Sequence, residues 1–161
     1  MKLFNDLIIV RHGESVLDTN IPNDLLPLTE AGIKQAKEAQ KILIDKFDVV
    51  ISSTSKRAVM TAKIIAGGKK TLQDERLIER GWGNKEKNGK ETDEEARTRF
   101  TNFLIDILRI YKYRRILIVS HGSLIKLGQD VIEEKILKRG IVNNCTIIKY
   151  DKNKDKEILK I

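Results

Sequence analysis

Leu7-Ile8-Ile9-Val10-Arg11-His12-Gly13 and Ile116-Leu117-Ile118-Val119-Ser120-His121-Gly122 follow one pattern, a short apolar run that ends in His-Gly. A continuous apolar run of this length, bounded by turn residues, reads as a strand buried on both faces, as in a parallel sheet. These two histidines are the only ones in the 161 residues. In an open parallel sheet, ligands bind in the crevice outside the carboxyl ends of the strands, so two strands ending in His point at one shared site. Imidazoles beside the guanidinium of Arg11 make that site a candidate for phosphate.

Outward from these strands, the chain alternates strand-like and helix-like segments, which predicts an α/β domain over residues 1–161 with a largely parallel sheet. The stretch from Glu14 to Pro27 holds both prolines and reads as a loop over the end of the first strand. Thr29 is placed to cap the next helix, Glu30 suits its positive end, and Ile33, Ala36, Leu43 and Phe47 fall on one face. Asp48 to Ile51 reads as the second strand. Ser52-Ser53-Thr54-Ser55 then offers hydroxyls to cap a helix through Ala58, Ala62 and Ile65 that Gly67-Gly68 ends. A short strand is expected near Leu72, and a polar loop from Glu79 to Glu91. Phe100, Phe103, Leu104, Ile107 and Leu108 have the spacing of an amphipathic helix. A helix from near Ser123 follows the His121 strand, and Thr146 to Tyr150 with Glu157 to Ile161 reads as an edge hairpin.

Composition narrows the function classes. A chain of this length buries about 70% of its unfolded surface without staples. The single Cys145 excludes an intramolecular disulfide, and no Cys/His ligand cluster is present, so neither metal nor cofactor is expected. A reducing cytoplasm is the expected location. No run approaches the roughly 18 apolar residues of a membrane span, and residues 1–6 do not resemble a secretory leader. The net charge of +8 is spread along the chain among acidic residues, and the one Trp, three Tyr and four Phe form no stacking row. That argues against nucleic acid as a partner and leaves a small phosphorylated substrate or a phosphoprotein.

The chemistry follows from what converges at the strand ends. A neutral His12 imidazole can attack a phosphoryl group and carry it covalently, provided a backbone carbonyl beyond Gly13 holds its other ring nitrogen protonated. Arg11 and Arg57 each present a planar fork of donors to phosphate oxygens, and Arg57 falls in the first turn of a helix whose dipole favours an anion. His121 adds a donor, as do the amides that follow it, Gly122 first. Glu79, held protonated, could donate to the leaving oxygen and later take a proton from water, with Glu86 and Glu91 as alternatives. Trp82 reads as packing or a pocket wall. Thr29, Gly32, Gln35, Ala58, Thr61 and Ala62 suit capping and close helix packing, and Asn143 and Asn144, which could orient a site loop, better suit a turn before the hairpin.

These residues, in this order, resemble the histidine phosphatase superfamily, the phosphoglycerate mutase-like branch one. Arg11-His12-Gly13-Glu14-Ser15 looks like its nucleophile motif, Leu28 to Ala36 like its LTxxGxxQA segment, and Ser52 to Ala62 like SSxxxRAxxTA. Leu77-Ile78-Glu79 with Gly83 is similar to the acid-bearing stretch, and Val119-Ser120-His121-Gly122 to the second histidine motif. The resemblance implies a three-layer α/β/α sandwich, a phosphohistidine at His12, phosphate binding by Arg11, Arg57 and His121, and proton donation by Glu79.

Two departures refine what it implies. Asp18 stands where many members carry Asn, and a carboxylate beside the phosphate is unfavourable unless it faces away or pairs with Arg. Short members that act on protein phosphohistidine share this feature but commonly lack the acid. The stretch between Glu79 and His121 is too short for the cap that encloses a mutase intermediate, so hydrolysis is expected in place of mutase activity. The leading expectation is a metal-independent phosphomonoesterase. A phosphohistidine protein phosphatase and a non-catalytic phosphate-binding module are the alternatives.

Overall fold

The computed structural model describes residues 5–44, 46–80, 91–136 and 139–161. In chain order the elements are β1 (Leu7–Arg11), α1 (Glu30–Leu43), β2 (Val49–Ser52), α2 (Lys56–Ala66), β3 (Thr71–Gln73), α3 (Asp93–Ile110), β4 (Ile116–Ser120), α4 (Gly122–Glu133), β5 (Ile147–Tyr150) and β6 (Lys156–Leu159). Single 3-10 turns lie at Asn23–Leu25 and Glu75–Leu77. The six strands form one sheet in the order β3-β2-β4-β1-β5-β6. The first four run parallel, and β5 and β6 are antiparallel to their neighbours.

Alternation along each central strand builds the layers, because successive side chains point to opposite faces. Leu7 and Ile9 of β1, with Ile116 and Ile118 of β4, pack with Phe100, Phe103, Leu104 and Ile107 of α3 and with Leu124 and Ile125 of α4. Ile8, Val10, Leu117 and Val119 pack on the other face with Ala39 and Leu43 of α1 and Ala58, Ala62 and Ile65 of α2. The result is the expected three-layer α/β/α sandwich. The helix ends follow their sequence signals. Thr29 accepts the Gly32 amide at the start of α1, Gly67 in the left-handed region (φ 56°) ends α2, and Thr92 with Glu95 forms a capping box on α3.

Boundaries differ from the sequence expectation in three places. α1 stops at Leu43, so Phe47 lies beyond it, though still buried at 2% exposure in the α1/α2 layer. β2 is shifted by one residue, from Val49 to Ser52, because the Asp48 carboxylate leaves the ladder to accept the Arg115 amide and guanidinium. In the C-terminal hairpin only β6 is an edge strand, since β5 pairs with β1 as well.

The register positions the site. Arg11 stands opposite Ser120 in the β1/β4 ladder, and Val119 opposite Ser52 in the β4/β2 ladder. The residues that follow, His12, His121 and Ser53, therefore leave three adjacent strands within one residue of the same level. α1 and α2 cover one face of the sheet and α3 and α4 the other, so a crevice opens at the carboxyl ends of β1 and β4.

Candidate active site

Parallel pairing continues one step past β1, with the His12 amide donating to the Ser120 carbonyl at 3.0 Å. It brings the two imidazoles edge to face, with centroids 5.0 Å apart. Both rings are buried, His12 at 5% exposure and His121 at 0%. His12 Nδ1 lies 2.7 Å from the Gly13 carbonyl oxygen. A carbonyl can only accept, so Nδ1 carries the proton, and the lone pair of Nε2 accepts from Arg57 Nε at 3.2 Å. Burial pushes the His12 pKa down to about 3; the Gly13 carbonyl opposes this, and Arg57 and Arg11 reinforce it. The ring is thus neutral near pH 7, with its free electron pair on Nε2.

Arg57 leaves the first turn of α2 and stands between the two rings. Its Nη2 donates to His121 Nδ1 at 3.3 Å, and its Nη1 to the Asn23 carbonyl. His121 must then protonate Nε2, which donates to Ser53 Oγ at 2.9 Å. Burial first, then the charges of His12, Arg57, Arg11 and Arg99, hold His121 well below the ordinary imidazole value. Arg11 faces the α3/α4 layer. It donates from Nη1 to the Val142 carbonyl at 2.6 Å and lies against Gly122, where an added Cβ would sit 3.4 Å from Arg11 Nε. That Nε is buried and has no partner among the described residues, a donor left for an acceptor in the crevice. The first-turn amides of α4 face the same space, and the Leu124 amide donates to Glu79 Oε1 at 3.2 Å. Glu79 also exerts the largest opposing charge on both Arg11 and Arg57. The structure therefore gathers Arg11, His12, Arg57, Glu79, His121 and Gly122 in one crevice, with two guanidinium groups, a helix N-terminus and the Glu79 carboxylate.

Several residues expected only to shape helices hold this crevice directly. Thr61 Oγ1 accepts the Gly13 amide at 3.0 Å and donates to the Arg57 carbonyl at 2.8 Å, joining the loop after His12 to α2. Gln35 accepts the Glu14 amide at 2.8 Å, and Thr29 binds both the carbonyl and the carboxylate of Glu14. The loop crosses α1 so closely that an added Cβ on Gly13 would meet the Gly32 carbonyl oxygen at 2.5 Å. Asn144 donates to the His12 carbonyl at 3.2 Å, which makes it a support of the site and not only a turn residue. Ser53 corrects the capping expectation. The N-cap of α2 is Ser55, which makes no side-chain cap bond, while the Ser53 hydroxyl serves His121. Sequence reasoning missed Ser53, Thr61 and Gln35 as site supports, and ranked a turn above a site role for Asn144. The usable signal was a hydroxyl one helical turn after Arg57.

Two carboxylates singled out in the sequence have partners of their own. Asp18 Oδ1 accepts the Asn20 amide at 2.8 Å in a local turn. Glu91 is bidentate to Arg99, at 2.7 and 2.8 Å. Trp82, Gly83 and Glu86 lie outside the described residues. Among the described residues no group of His, Cys, Asp and Glu could hold a metal ion, and no helix is long and apolar enough to cross a membrane.

The profile of the histidine phosphatase superfamily (branch 1) matches residues 7–98. No curated protein matches the chain. Among solved structures, the chain is similar to a mutant phosphoserine phosphatase from Entamoeba histolytica in complex with phosphoserine, with a TM-score of 0.73 and 22% identity over 97% of this chain and 95% of that one. It is similar to Bacillus stearothermophilus YhfR, with a TM-score of 0.74 and 23% identity over 96% and 95% of the two chains. It is also similar to a mycobacterial glucosyl-3-phosphoglycerate phosphatase, with a TM-score of 0.71 and 18% identity over 89% and 88%. At these identities the likeness is one of fold. With the profile match spanning β1 through the start of α3, and the motifs converging on one crevice, the chain belongs to the histidine phosphatase superfamily, branch 1.

Proposed function

We propose that the protein is a phosphatase that hydrolyses a phosphomonoester through a phosphohistidine at His12, without a metal ion. The observation that carries this reading is the Nδ1–H contact to the Gly13 carbonyl, which fixes the reactive electron pair on Nε2, toward Arg57 and His121. An arriving phosphoryl group takes over the donors of Arg57 that now rest on the two imidazoles, and the open Nε of Arg11 supplies another. Nε2 then attacks phosphorus, the N–P bond forms as the ester P–O bond breaks, and the proton of the Glu79 carboxyl goes to the leaving oxygen. In the second half, water attacks phosphorus, Glu79 takes its proton, the N–P bond breaks and inorganic phosphate departs. The bound anion offsets the burial and neighbouring charge that keep His121 neutral, so His121 becomes a cationic donor to the phosphoryl oxygens.

Hydrolysis of p-nitrophenyl phosphate in EDTA, from about pH 4 to 8, tests the reading, with His12→Ala as the comparison. The native protein is expected to turn over and to form an acid-labile phosphoenzyme, and His12→Ala to lose both. A phosphoenzyme surviving in His12→Ala would move the nucleophile elsewhere. Activity abolished by EDTA would overturn metal independence. Tight phosphate binding without turnover would favour a phosphate-dependent binding module, and release of phosphate only from phosphohistidine protein would narrow the substrate to that class.

A further inference from the structure

Arg99 lies beyond Arg11 and Arg57 at the edge of the crevice, and its contacts are unusually complete. It leaves α3 with its side chain 12% exposed and grips Glu91, itself 2% exposed, through Nε at 2.7 Å and Nη2 at 2.8 Å. Its remaining arm, Nη1, donates to two main-chain carbonyls, Arg76 at 2.6 Å and Ile78 at 3.1 Å. Ile78 immediately precedes Glu79. One side chain thus fixes the peptide that leads into Glu79 and, through a buried carboxylate, a second point at Glu91. The Glu79 carboxylate is held from the other direction by the Leu124 and Arg80 amides.

We propose that Arg99 is a positioning residue for Glu79, setting the reach of that carboxyl to the leaving-group oxygen through the main chain at Ile78. The inference rests on the reading of Glu79 as general acid and goes beyond it. A lysine could not replace this arrangement, because a single ammonium cannot fork to a carboxylate on one side and to two carbonyls on the other. The effect is confined to the step that needs a proton. A p-nitrophenolate leaves without much help, whereas water leaving from inorganic phosphate needs protonation.

The experiment compares two reactions in each variant: kcat/KM for p-nitrophenyl phosphate, and the exchange of isotopically labelled phosphate oxygen with water at subsaturating phosphate. Both report formation of the phosphoenzyme, one with a good leaving group and one with a poor one. The variants are Arg99→Lys and the double variant Arg99→Met/Glu91→Gln, in which no buried charge is left unpaired, alongside Glu79→Gln. The exchange-to-ester ratio is expected to fall about 10- to 100-fold in both Arg99 variants and at least as far in Glu79→Gln, with inhibition by vanadate unchanged. A fall in Glu79→Gln with an unchanged ratio in the folded Arg99 variants would overturn the role of Arg99 alone. So would an equal loss in both reactions, which marks a merely structural contribution. An unchanged ratio in Glu79→Gln would remove Glu79 as the acid and Arg99's role with it.

Discussion

Replacing His12 should flatten the acid sensitivity of the fold. Burial holds the His12 pKa near 3, against 6.5 for a free imidazole. Between those values the unfolded chain has taken up a proton that the folded chain refuses. Stability therefore falls as pH drops below about 6.5, with a slope near 1.4 kcal/mol per pH unit for this residue. The loss amounts to about 3 kcal/mol at pH 4.5 and approaches about 5 kcal/mol at pH 3. His121 shifts in the same direction and steepens the native curve. Urea unfolding followed by circular dichroism, at intervals from about pH 7 to 4.5, should show a shallower decline for His12→Gln by about one histidine's share. Parallel curves for the two proteins would mean that His12 is not held neutral by burial, and the basis for a ready nucleophile would fall with it. The same displacement predicts that kcat/KM has no acid limb near pH 6.5.

Thr61→Val leaves the buried Gly13 amide without its acceptor and should cost about 1–3 kcal/mol in unfolding free energy, with slower phosphoenzyme formation; an unchanged Tm would deny the Gly13–Thr61 bond a structural role. Gly13→Ala drives a methyl group against the Gly32 carbonyl and should destabilise by about 1–3 kcal/mol, read as a lower Tm together with lost phosphate protection. Arg57→Lys keeps the charge but loses the fork between the two rings, so the inhibition constant of inorganic phosphate should rise about tenfold, the equivalent of about 1.4 kcal/mol. Equal inhibition would show that Arg57 acts only as a point charge.

The central strands were legible because helices bury both faces of β1 and β4, leaving apolar runs with no polar interruption. α3 was legible because its core residues keep the helical period for its whole length. The limits of β2 and α1 were not, since Asp48 and Phe47 are placed by Arg115 and by the α1/α2 core, not by local preference. In the crevice, His12, His121, Arg11 and Arg57 could be named from strand ends and motifs. Their supports could not: Ser53 and His121 are 68 positions apart, and Asn144 and His12 132, so each bond exists only once the sheet has formed. Asp18 could be read as a possible conflict, but the turn that occupies its carboxylate depends on backbone dihedrals invisible in residue type.

The sheet order has a consequence for how the molecule comes into being. β1 and β2 share no ladder; β4 lies between them and pairs with both. A nascent chain emerging in order can join β2 to β3 but holds β1 apart until Ile116 to Ser120 arrives, and its long-range pairings make folding slow relative to helix formation. The stretch matched by the family profile, residues 7–98, therefore carries most of the motif residues yet lacks the strand that makes them one surface. The four parallel strands join only when β4 inserts, so chains that stop short of it carry His12 without His121 beside it.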